Sequence, residues 1–574
     1  MERTIDRRTR LRQAYHVARA DFLQRARSRQ LAVVLAVIAS IGYLVNTGGV
    51  KLAYQVRSDG TLQAFHGEPT AAYIGLKAGI TGAIVLLFGG FYLMKNALQR
   101  DRNHGVAQLV ARTPISDRTY LFGKWLSNLT FGGVLILTLG VSSIANHAVH
   151  GVGPTTLTAL LIPLLAFAFP VAALVSGLAL FSETVDPLSG TFGNLCYFLF
   201  MPVVLGSTLT PVGDMLPGQL PLWVKSLDLM GYIAIYTLTA SSLLAQQPVY
   251  AGGLPSVGTL EATRAFYWNG GAWPLWVYPQ RLAVVLCGLC IVLVSTVPFD
   301  RLHETDPAED SGWLLWASVP SVRSGLSSLL SALLSRLGGK QTNCDGEQSE
   351  RPAIESLSLT PVATRDAGGF HRLLVAELRL ALRGRPWWWY GGAILLVGVP
   401  VVTLVTTGAA NISVEPVRTF VFPIAAIWPL IVWSDIGVRP VQHRVLPLVL
   451  SSRYPLKQLI AEWLSGIIVA IGVGSGVFAV YIATGHTGAL LGFVSGVLLA
   501  PSLATAAGSW SRSTTLFELS YLTLWYVGPL NGAQPVDFIG ATDASVEMGI
   551  PLAFVGLSAV LVGTALLRRT LELG

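Results

Sequence analysis

The stretch HGVAQLVARTPISDRTYLFGKWLS, from His104 to Ser127, decides the fold because the chain contains it a second time. The second copy, HRVLPLVLSSRYPLKQLIAEWLS, runs from His443 to Ser465. Both copies begin with His, pass through Leu-Val and end with Trp-Leu-Ser, and each lies between two long apolar stretches. The repeated polar loop therefore indicates that the chain contains two copies of one arrangement of apolar spans and polar loop.

A second repeated segment gives the relative orientation of the two copies. ADFLQRARSR, from Ala20 to Arg29, resembles AELRLALRGR, from Ala376 to Arg385. We expect both basic amphipathic segments to lie along the inner membrane surface. Because six apolar spans separate equivalent positions, the copies enter the membrane in the same sense. The sequence therefore predicts parallel halves, related by an axis along the membrane normal.

The composition is that of a polytopic membrane protein. Of the 574 residues, 52% are hydrophobic and 12% are charged, against about 25% charged residues in soluble domains. The apolar residues come in runs of about 20, the length of helix that crosses a bilayer. We predict an all-α polytopic membrane protein with about 12 transmembrane helices in two parallel six-helix repeats, with interfacial and coupling helices on the cytoplasmic side. The predicted spans are 30–46, 72–94, 126–146, 155–181, 189–210, 280–298, 388–407, 418–434, 464–484, 488–508, 515–530 and 549–567.

The distribution of Lys and Arg predicts the sidedness. If Met1 is cytoplasmic, 32 of the 39 basic residues lie in predicted inner segments, and inverting the protein would reverse this ratio. Both termini are therefore expected in the cytoplasm, and the protein is expected to be a multi-pass protein of the cell membrane. The net charge of +8 fits contact with anionic membrane lipid. Since no basic patch stands clear of the spans, no nucleic-acid partner is expected.

Three segments are predicted along the chain. Residues 1–299 form a first six-span half with a large outer loop at 211–279, and residues 371–574 form the second six-span half. Residues 300–370 form a cytoplasmic linker. Part of this linker repeats Leu at helical spacing opposite a Ser-rich face, which predicts an amphipathic helix. The polar segment KQTNCDGEQSERP after it predicts a disordered tether.

Each polar loop is expected to contain a short helix with one apolar face. Apolar residues lie at positions i, i+3 and i+4 in both loops, and the helices are expected to end at Pro114 and Pro455. Such a face must bury against the bilayer, the rest of the protein or a partner. One interpretation is a helix on the membrane surface, and the other is a docking element for a cytoplasmic motor. The twofold repeat favours docking, because a symmetric pair of motor subunits needs two equivalent contacts.

The first half carries a resemblance to a known family. A basic interfacial helix precedes the first span, and the loop after the second span contains an acidic residue, a Gly, a Leu, a Thr-Pro step and a Lys. These residues are Asp101, Gly105, Leu109, Thr113, Pro114 and Lys124. In this pattern the chain resembles an ABC-2 type transporter permease with two six-span halves fused in one chain. The second loop departs from the pattern, with His443-Arg444 where Gly is expected and Glu462 at the position of the Lys.

The resemblance implies a function and a set of partners. The chain would be the membrane-spanning permease subunit of an ATP-binding-cassette transporter, with export as the expected direction and an unknown transported substrate. Two copies of a cytoplasmic ABC ATPase subunit would dock on inner loops 98–118 and 437–457. ATP and Mg would be bound by that partner and no cofactor by this chain. The implied docking residues are Asp101, Gly105, Leu109, Arg112, Pro114, Arg118, Lys124, His443, Arg444, Leu448, Arg453 and Lys457.

The sequence contains no catalytic or nucleotide-binding motif that we recognise. The phosphate-binding pattern G-x-x-x-x-G-K-[ST] is missing, and its nearest match, RLGGKQT, has Gln341 where Ser or Thr belongs. The nine His residues are dispersed without metal-ligand spacing. Cys287 and Cys290 lie in an apolar run and are interpreted as small apolar residues of one helix face. We expect a transport subunit that is not an enzyme, with ATP hydrolysis in its partner.

Charged residues in or beside membrane spans are candidates for a transport path. Glu518 and Asp435 are the best candidates for a translocation path or gate. The alternatives are that Glu518 lies near the inner surface, hydrated or paired with Arg512, and that Asp435 ends a helix at the inner interface.

Two other classes of function stay open. A 12-span secondary transporter of major-facilitator type also has parallel halves and a cytoplasmic linker. Its usual inner-loop pattern, G-x-x-x-D-[RK]-x-G-[RK]-[RK], does not match the first polar loop. A polytopic membrane enzyme would need polar residues clustered at one membrane face. The acidic residues of the outer loop, Asp214, Asp228 and Glu261, are spread apart in the sequence.

Overall fold

The computed structural model describes residues 7–46, 51–58, 61–103, 105–209, 215–247, 255–258, 263–299, 369–409 and 412–573. The chain divides into two compact units, Met1–Thr305 and Asp306–Gly574. This division falls in the segment that the sequence assigns to a linker. The amphipathic helix and the tether predicted in that segment lie outside the described residues.

The first unit is predominantly helical and contains a small sheet. Its described helices are α1 (Arg7–Ala26), α2 (Arg29–Asn46), α3 (Ala71–Val85), α4 (Phe91–Met94), α5 (Ala97–Asn103), α6 (Val106–Ala111), α7 (Asp117–His150), α8 (Leu157–Thr184), α9 (Asp186–Ser189), α10 (Thr191–Leu209), α11 (Leu222–Ser226), α12 (Tyr232–Gln246) and α13 (Val277–Val294). A π-helical turn, Leu86–Gly90, joins α3 to α4, and Pro217–Gln219 forms a 3-10 turn. The strands are β1 (Lys51–Ser58), β2 (Thr61–Gly67), β3 (Pro255–Gly258) and β4 (Thr263–Phe266).

The second unit is helical throughout its described part. Its helices are α14 (Phe370–Leu382), α15 (Trp387–Thr407), α16 (Val414–Pro416), α17 (Phe422–Ile427), α18 (Leu430–Trp433), α19 (Arg439–Gln442), α20 (Leu446–Leu450), α21 (Pro455–Thr484), α22 (Thr487–Ser511), α23 (Thr514–Trp525), α24 (Asp543–Glu547) and α25 (Ile550–Leu571). The turns Val417–Val421 and Tyr526–Leu530 are π-helical, and Gln534–Val536 is a 3-10 turn.

Among the described residues, nine helices are long and apolar enough to cross a membrane, or ten if α1 and α2 form one broken span. These nine are Ala71–Arg102, Asp117–His150, Leu157–Thr184, Val277–Val294, Trp387–Thr407, Val414–Trp433, Pro455–Thr484, Gly488–Ser511 and Ile550–Leu571. The prediction of a helical, membrane-embedded protein is confirmed.

The count of twelve spans stays a prediction, because three predicted spans form helices outside this set of nine. The first is α2, which follows α1 at a bend of 80°. The second is α10, whose apolar part, Thr191–Met201, is short. The third is α23 with the π-helical turn after it.

The four-stranded sheet is an addition to the predicted all-α class. β1 and β2 form an antiparallel hairpin, β3 pairs antiparallel with β1, and β4 pairs parallel with β2. The hairpin comes from the loop between the first two predicted spans, whereas β3 and β4 come from the predicted outer loop 211–279. The two loops therefore build one structure. Its core includes Tyr54 and Phe65, which are fully buried, and the Tyr54 hydroxyl lies 2.5 Å from Thr239 Oγ1 of α12.

Close contacts between small residues hold the helices of the first unit together. A Cβ atom added at Gly75 of α3 would lie 2.3 Å from the carbonyl oxygen of Ala159 in α8, and one at Gly79 would lie 2.7 Å from that of Pro163. Glycines four residues apart allow such backbone contact between membrane helices. The α3–α8 pair is therefore built on the small face of α3.

An amphipathic helix packs beside a long helix in each unit. In the first unit, α1 lies against the start of α7, where a Cβ atom added at Gly123 would meet the carbonyl oxygen of Ala14 at 2.9 Å. In the second unit, α14 lies against α21. These two packings position the polar loops described below.

Candidate functional site

The polar loop of the first unit is an ordered pair of short helices. Gly105 joins α5 to α6 with φ = +71°, a left-handed conformation that glycine adopts without a steric penalty. After α6, the side chain of Ser116 accepts a hydrogen bond from the backbone N–H of Thr119 at 3.3 Å and so caps α7. The predicted short helix that ends before Pro114 is confirmed.

Four of the predicted docking residues of this loop form an exposed face. Leu109 is 66% exposed, a large value for a leucine of an ordered helix. Arg112, Pro114 and Arg118 are also exposed. The first loop therefore presents an apolar side chain between basic groups.

The second polar loop has the same character. Leu448 of α20 is 70% exposed. The helix ends at Leu450, before the predicted stop at Pro455, and the residues between form a turn. Lys457 and Arg453 hold their charges over the ring of Tyr454, at 4.0 and 5.3 Å from its centroid. The other predicted docking residues, His443 and Arg444, are exposed as well.

Two predicted docking residues of the first loop are buried and present no surface to a partner. Asp101 is 7% exposed and Lys124 is 2% exposed, and their side chains form an ion pair with a 2.7 Å separation. They belong to a group that we call the first polar cluster. Its members are Asp21, Arg25, Arg100, Asp101, Tyr120, Lys124, Ser127 and Asn128.

Asp21 of α1 is the centre of the first polar cluster. Lys124 Nζ lies 2.8 Å from Asp21 Oδ1, and Ser127 donates a hydrogen bond of 2.6 Å to Asp21 Oδ2. Arg25 and Arg100 approach the same carboxylate at 3.0 and 3.5 Å. Burial raises the pKa of the Asp21 carboxyl, but the charges of these cations outweigh burial and hold the pKa well below its usual range.

The cluster ties α1, α5 and α7 together, and Glu183 connects α8 to the same place. Tyr120 of α7 donates a hydrogen bond to Asp101 of α5, and Arg25 of α1 donates one to Asn128 of α7. The buried Glu183, at the end of α8, accepts the backbone N–H groups of Ala97, Leu98 and Gln99, which open α5. Since the first N–H groups of a helix have no partner within it, Glu183 caps α5. The polar loop is therefore fixed to α1, α7 and α8.

The second unit contains a corresponding second polar cluster, made of Glu377, Arg439, Gln458 and Glu462. Arg439 of α19 pairs with Glu377 of α14 at 3.3 Å. The Gln458 side chain donates to both carboxylates, at 3.1 Å to Glu377 and 3.4 Å to Glu462. Glu462 is 1% exposed and also accepts the backbone N–H of Gly437 at 3.1 Å. This cluster links the amphipathic helix to the polar loop, as the first one does.

The two clusters place opposite charges at corresponding positions. An offset of 338 residues relates Trp125 to Trp463 in the repeated motif. The same offset relates the base Lys124 to the acid Glu462. At the start of the loop the offset is 339, from His104 to His443, so the base Arg439 lies one residue before the position of the acid Asp101. The amphipathic helix has an acid at the corresponding position in both units: Asp21 in α1 and Glu377 in α14, at an offset of 356 residues.

Comparisons with protein families, with curated proteins and with solved structures gave no match. The site is therefore interpreted from its own geometry. Among the residues that the structure describes, no group of three or more His, Cys, Asp or Glu is placed to hold a metal ion.

The two candidate path residues have different surroundings. Asp435 lies between α18 and α19, where Arg385 pairs with it at 2.7 Å. This geometry fits the alternative of a helix-end residue. Glu518 of α23 is completely buried. Its suggested partner, Arg512, pairs with Glu572 at 3.2 Å instead. A role of either residue in a translocation path stays a prediction.

Sequence reasoning did not recognise the members of the clusters outside the loops. Asp21 is the only acid in α1, whose other charges are all Arg, and Glu377 is likewise the only acid in α14. A single acid in a basic amphipathic helix was the signal. It could have been paired with the basic residue of the following loop, since an isolated buried carboxylate needs a cationic partner.

Proposed function

We propose that the chain is the membrane-spanning permease subunit of an ATP-binding-cassette exporter of the ABC-2 type. Separate cytoplasmic ATPase subunits would dock on the two polar loops. ATP and Mg would be held by those subunits, and the chain would carry the transport path for a substrate that is still to be identified.

The pairing of an exposed leucine with a buried ion cluster carries this proposal. Leu109 is exposed on α6, and the neighbouring α5 is anchored through Asp101 to α1 and α7. Breaking a buried ion pair by moving one partner away is unfavourable by several kcal/mol. A displacement of the loop would therefore move the helices with it and would not be lost in local deformation. This is the mechanical property that a coupling element needs.

The second unit supports the same role. Leu448 is exposed beside a loop that Arg439 anchors to Glu377 of α14. Two such elements in one chain suit two copies of the ATPase subunit, because each copy needs its own contact. The charge exchange between the clusters supports an origin of both units from one ancestral module, since swapping both partners of an ion pair preserves their attraction.

The experiment combines the permease with the ATPase subunit and measures two quantities, their association and the stimulation of ATP hydrolysis. The ATPase comes from pull-down on the full chain from native membranes, followed by its recombinant expression. Leu109→Glu and Leu448→Glu each place a charge on the proposed contact. We expect each variant to reduce association about tenfold or more, as is usual for a central apolar contact of an interface.

Ser452→Glu is the matched control. Ser452 is exposed beside α20, so this variant adds the same charge without removing apolar surface. It should associate nearly as well as the unmodified chain. The proposal fails if no ATPase associates with the chain, or if the leucine variants bind and stimulate it as the control does. Transport driven by an ion gradient without any ATPase would point to a secondary transporter.

A further inference from the structure

One face of α3 carries two polar side chains within a predicted membrane span. Lys77 and Thr81 lie one helical turn apart, about 9 and 15 Å along the helix from its first residue, Ala71. Each is 8% exposed, so both are mostly covered by protein without being enclosed. The glycines of α3 that pack on α8, Gly75 and Gly79, lie on the opposite face of the helix. The polar face is therefore turned away from the α3–α8 contact.

Lys77 has no counter-ion in the described part of the chain. Among these residues, no carboxylate lies within 4 Å of its Nζ, and Nζ donates no hydrogen bond to them. The Thr81 hydroxyl likewise forms no hydrogen bond with the described residues. Burying a cation without a partner is unfavourable, and charged residues in membrane spans are generally paired or line a path for a solute. The polar face of α3 therefore offers a cation and a donor that these residues do not use.

A lysine near the end of a membrane helix can extend its ammonium through lipid to the headgroup region. The surroundings of α3 argue against this explanation. In the span Ala71–Arg102, 83% of the most apolar window is buried, the largest share among the nine spans of the described residues. The outer structure also covers the start of α3, since Tyr73 donates a hydrogen bond of 2.6 Å to the carbonyl oxygen of Leu52 in β1. Lys77 therefore lies among protein side chains.

The corresponding span of the second unit has a cation near the same place, but pairs it. Lys77 follows the first residue of its span by six positions, and Arg418 follows the first residue of the span Val414–Trp433 by four. Arg418 forms an ion pair with Asp543 and donates a hydrogen bond of 2.6 Å to the carbonyl oxygen of Gly540. The second unit therefore neutralises this cation with its own residues, whereas the described part of the first unit leaves it available.

The two side chains of the polar face define the chemistry of a ligand. An ammonium and a hydroxyl bind the oxygens of an anionic group through charge-assisted hydrogen bonds. A bare anion is costly to move out of water, so an anion reaches this depth more readily with an apolar part attached. Tyr73 and Ile80, which neighbour Lys77 on α3, are buried and suit such a part. The ligand is therefore expected to be an amphiphile with an anionic headgroup.

We propose that the polar face of α3 binds the anionic headgroup of the transported substrate, with Lys77 as its counter-ion and Thr81 as a further donor. The substrate class is then an anionic amphiphile. Its transport rests on the proposed function, whereas the binding of an anion at Lys77 does not.

The binding test uses the full chain in phosphatidylcholine nanodiscs without any ATPase. Oleate and oleyl phosphate are the anionic probes, and oleyl alcohol has the same chain without a charge. A thermal melt at increasing probe concentration measures stabilisation and gives the apparent Kd. We expect an anionic probe to raise the melting temperature and oleyl alcohol to leave it unchanged. Equal stabilisation by all three probes, or none by either anion, would overturn the proposal.

Lys77→Met separates binding from folding. Because it removes an unpaired buried charge, it should raise the melting temperature of the empty protein by about 3 °C or more. It should also weaken binding of the anionic probe about tenfold or more. Thr81→Val, which removes one neutral donor and keeps the shape, should weaken binding about threefold.

Arg418→Met is the matched control, because it removes a cation that is paired. It should lower the melting temperature and change binding of the anionic probe less than about twofold. A lowered melting temperature of empty Lys77→Met would show that the charge is structural and would overturn the proposal. Unchanged binding of the anionic probe by Lys77→Met would do the same.

A last measurement distinguishes a transported substrate from a resident lipid. With the ATPase subunit bound, the anionic probe should stimulate ATP hydrolysis by the unmodified chain and not by Lys77→Met. Binding of the probe without stimulation would overturn the assignment to the transport path. If no ATPase associates with the chain, the proposed function fails and transport of the anion with it, whereas binding of the anion at Lys77 would stand on the melts alone.

Discussion

Asp21 and Lys124 lie 103 residues apart in the chain, yet their side chains form an ion pair at 2.8 Å and are each only 2% exposed. Asp21 comes from the amphipathic helix α1 and Lys124 from the first turns of the long helix α7. The pair joins the amphipathic helix to the helix that follows the polar loop. Asp101 before the polar loop and Lys124 after it belong to the same group of buried charges, so the loop is held at both ends.

Removing the charge of Lys124 should destabilise the first unit strongly. Lys124→Gln would leave the carboxylates of Asp21 and Asp101 close together without the cation between them. Breaking a buried ion pair in this way costs about 3–5 kcal/mol. Thermal unfolding in detergent measures the effect as a lowered midpoint.

Arg118→Gln serves as the control for this change, because Arg118 is an exposed residue on the same helix. Exposed charges contribute about 0–1 kcal/mol, so its midpoint should stay nearly unchanged. Equal midpoints for both variants would show that the Lys124 charge does not hold the loop.

The charge exchange between the units can be tested by moving it into the first unit. Asp101→Arg and Lys124→Glu each place like charges together and should each destabilise the protein. The double variant recreates the arrangement of Arg439 and Glu462. A double-mutant cycle should give a favourable coupling of about 1–3 kcal/mol.

Tyr120→Gln extends this experiment. Tyr120 precedes Gln458 by the same offset of 338 residues, and Gln458 bridges the two carboxylates of the second cluster. Adding it to the double variant should raise the melting temperature further, because Glu at position 124 would otherwise face Asp21 without a bridging donor. If the losses of stability of the two single variants simply add in the double variant, the two clusters do not correspond.

The sequence predicted the helices but not the sheet. The helices were predictable because their apolar runs are long, and the short helix of each loop was predictable from the spacing of Leu109 and Leu448 with their neighbours. The hairpin of β1 and β2 was missed within a loop between two predicted spans. β3 and β4 have four residues each and pair with this hairpin from about 200 residues later in the chain. Pairing of such distant segments leaves no local pattern.

The polar clusters show the same limitation in the site itself. The motif indicated Asp101 and Lys124 correctly as residues of interest, but it gave no information about their burial. Their exposure depends on where α1 packs, and that depends on contacts such as Gly123 against Ala14. The sequence of a loop does not show whether a polar residue faces solvent or a buried acid.

A buried ion pair between the predicted outer loop and α13 has its own test. Asp228 lies 3.2 Å from Arg281 and accepts the backbone N–H groups of Gly231 and Ala234 at the start of α12. Asp228→Ala should leave Arg281 without its ion-pair partner and α12 uncapped, at a cost of about 3–5 kcal/mol. Hydrogen exchange should accelerate at Gly231 and Ala234. Ser226→Ala, an exposed neighbour, should leave this exchange slow; equal rates in both variants would refute the capping role.

Basic residues on the exposed face of the first loop should matter for coupling and not for folding. Arg112→Glu together with Arg118→Glu reverses two exposed charges. We expect at least a tenfold loss of ATP-driven transport with an unchanged melting temperature, because charge reversal at an interface places like charges together. The same double reversal at Arg12 and Arg19 of α1, also exposed, is the control. Full transport in the loop variant would exclude docking at these residues.

The sidedness of the two loops provides the most direct test of the parallel arrangement. In a cysteine-free background, Leu109→Cys and Leu448→Cys place thiols at positions that are 66% and 70% exposed. If the halves are parallel and their basic loops face the cytoplasm, both thiols lie on the cytoplasmic face. A membrane-impermeant maleimide should then label neither in intact cells and both in inside-out vesicles.

Leu275→Cys supplies the opposite marker, because Leu275 lies in the predicted outer loop and is 84% exposed. It should label in intact cells. If Leu109→Cys and Leu448→Cys label from opposite sides, the repeats are inverted. Cytoplasmic ATPase subunits could then bind only one of the two loops. If both label from outside, the arrangement is parallel but the positive charge no longer explains the sidedness. Only labelling of both from the inside, with Leu275→Cys labelled from the outside, is compatible with two docking loops driven from the cytoplasm.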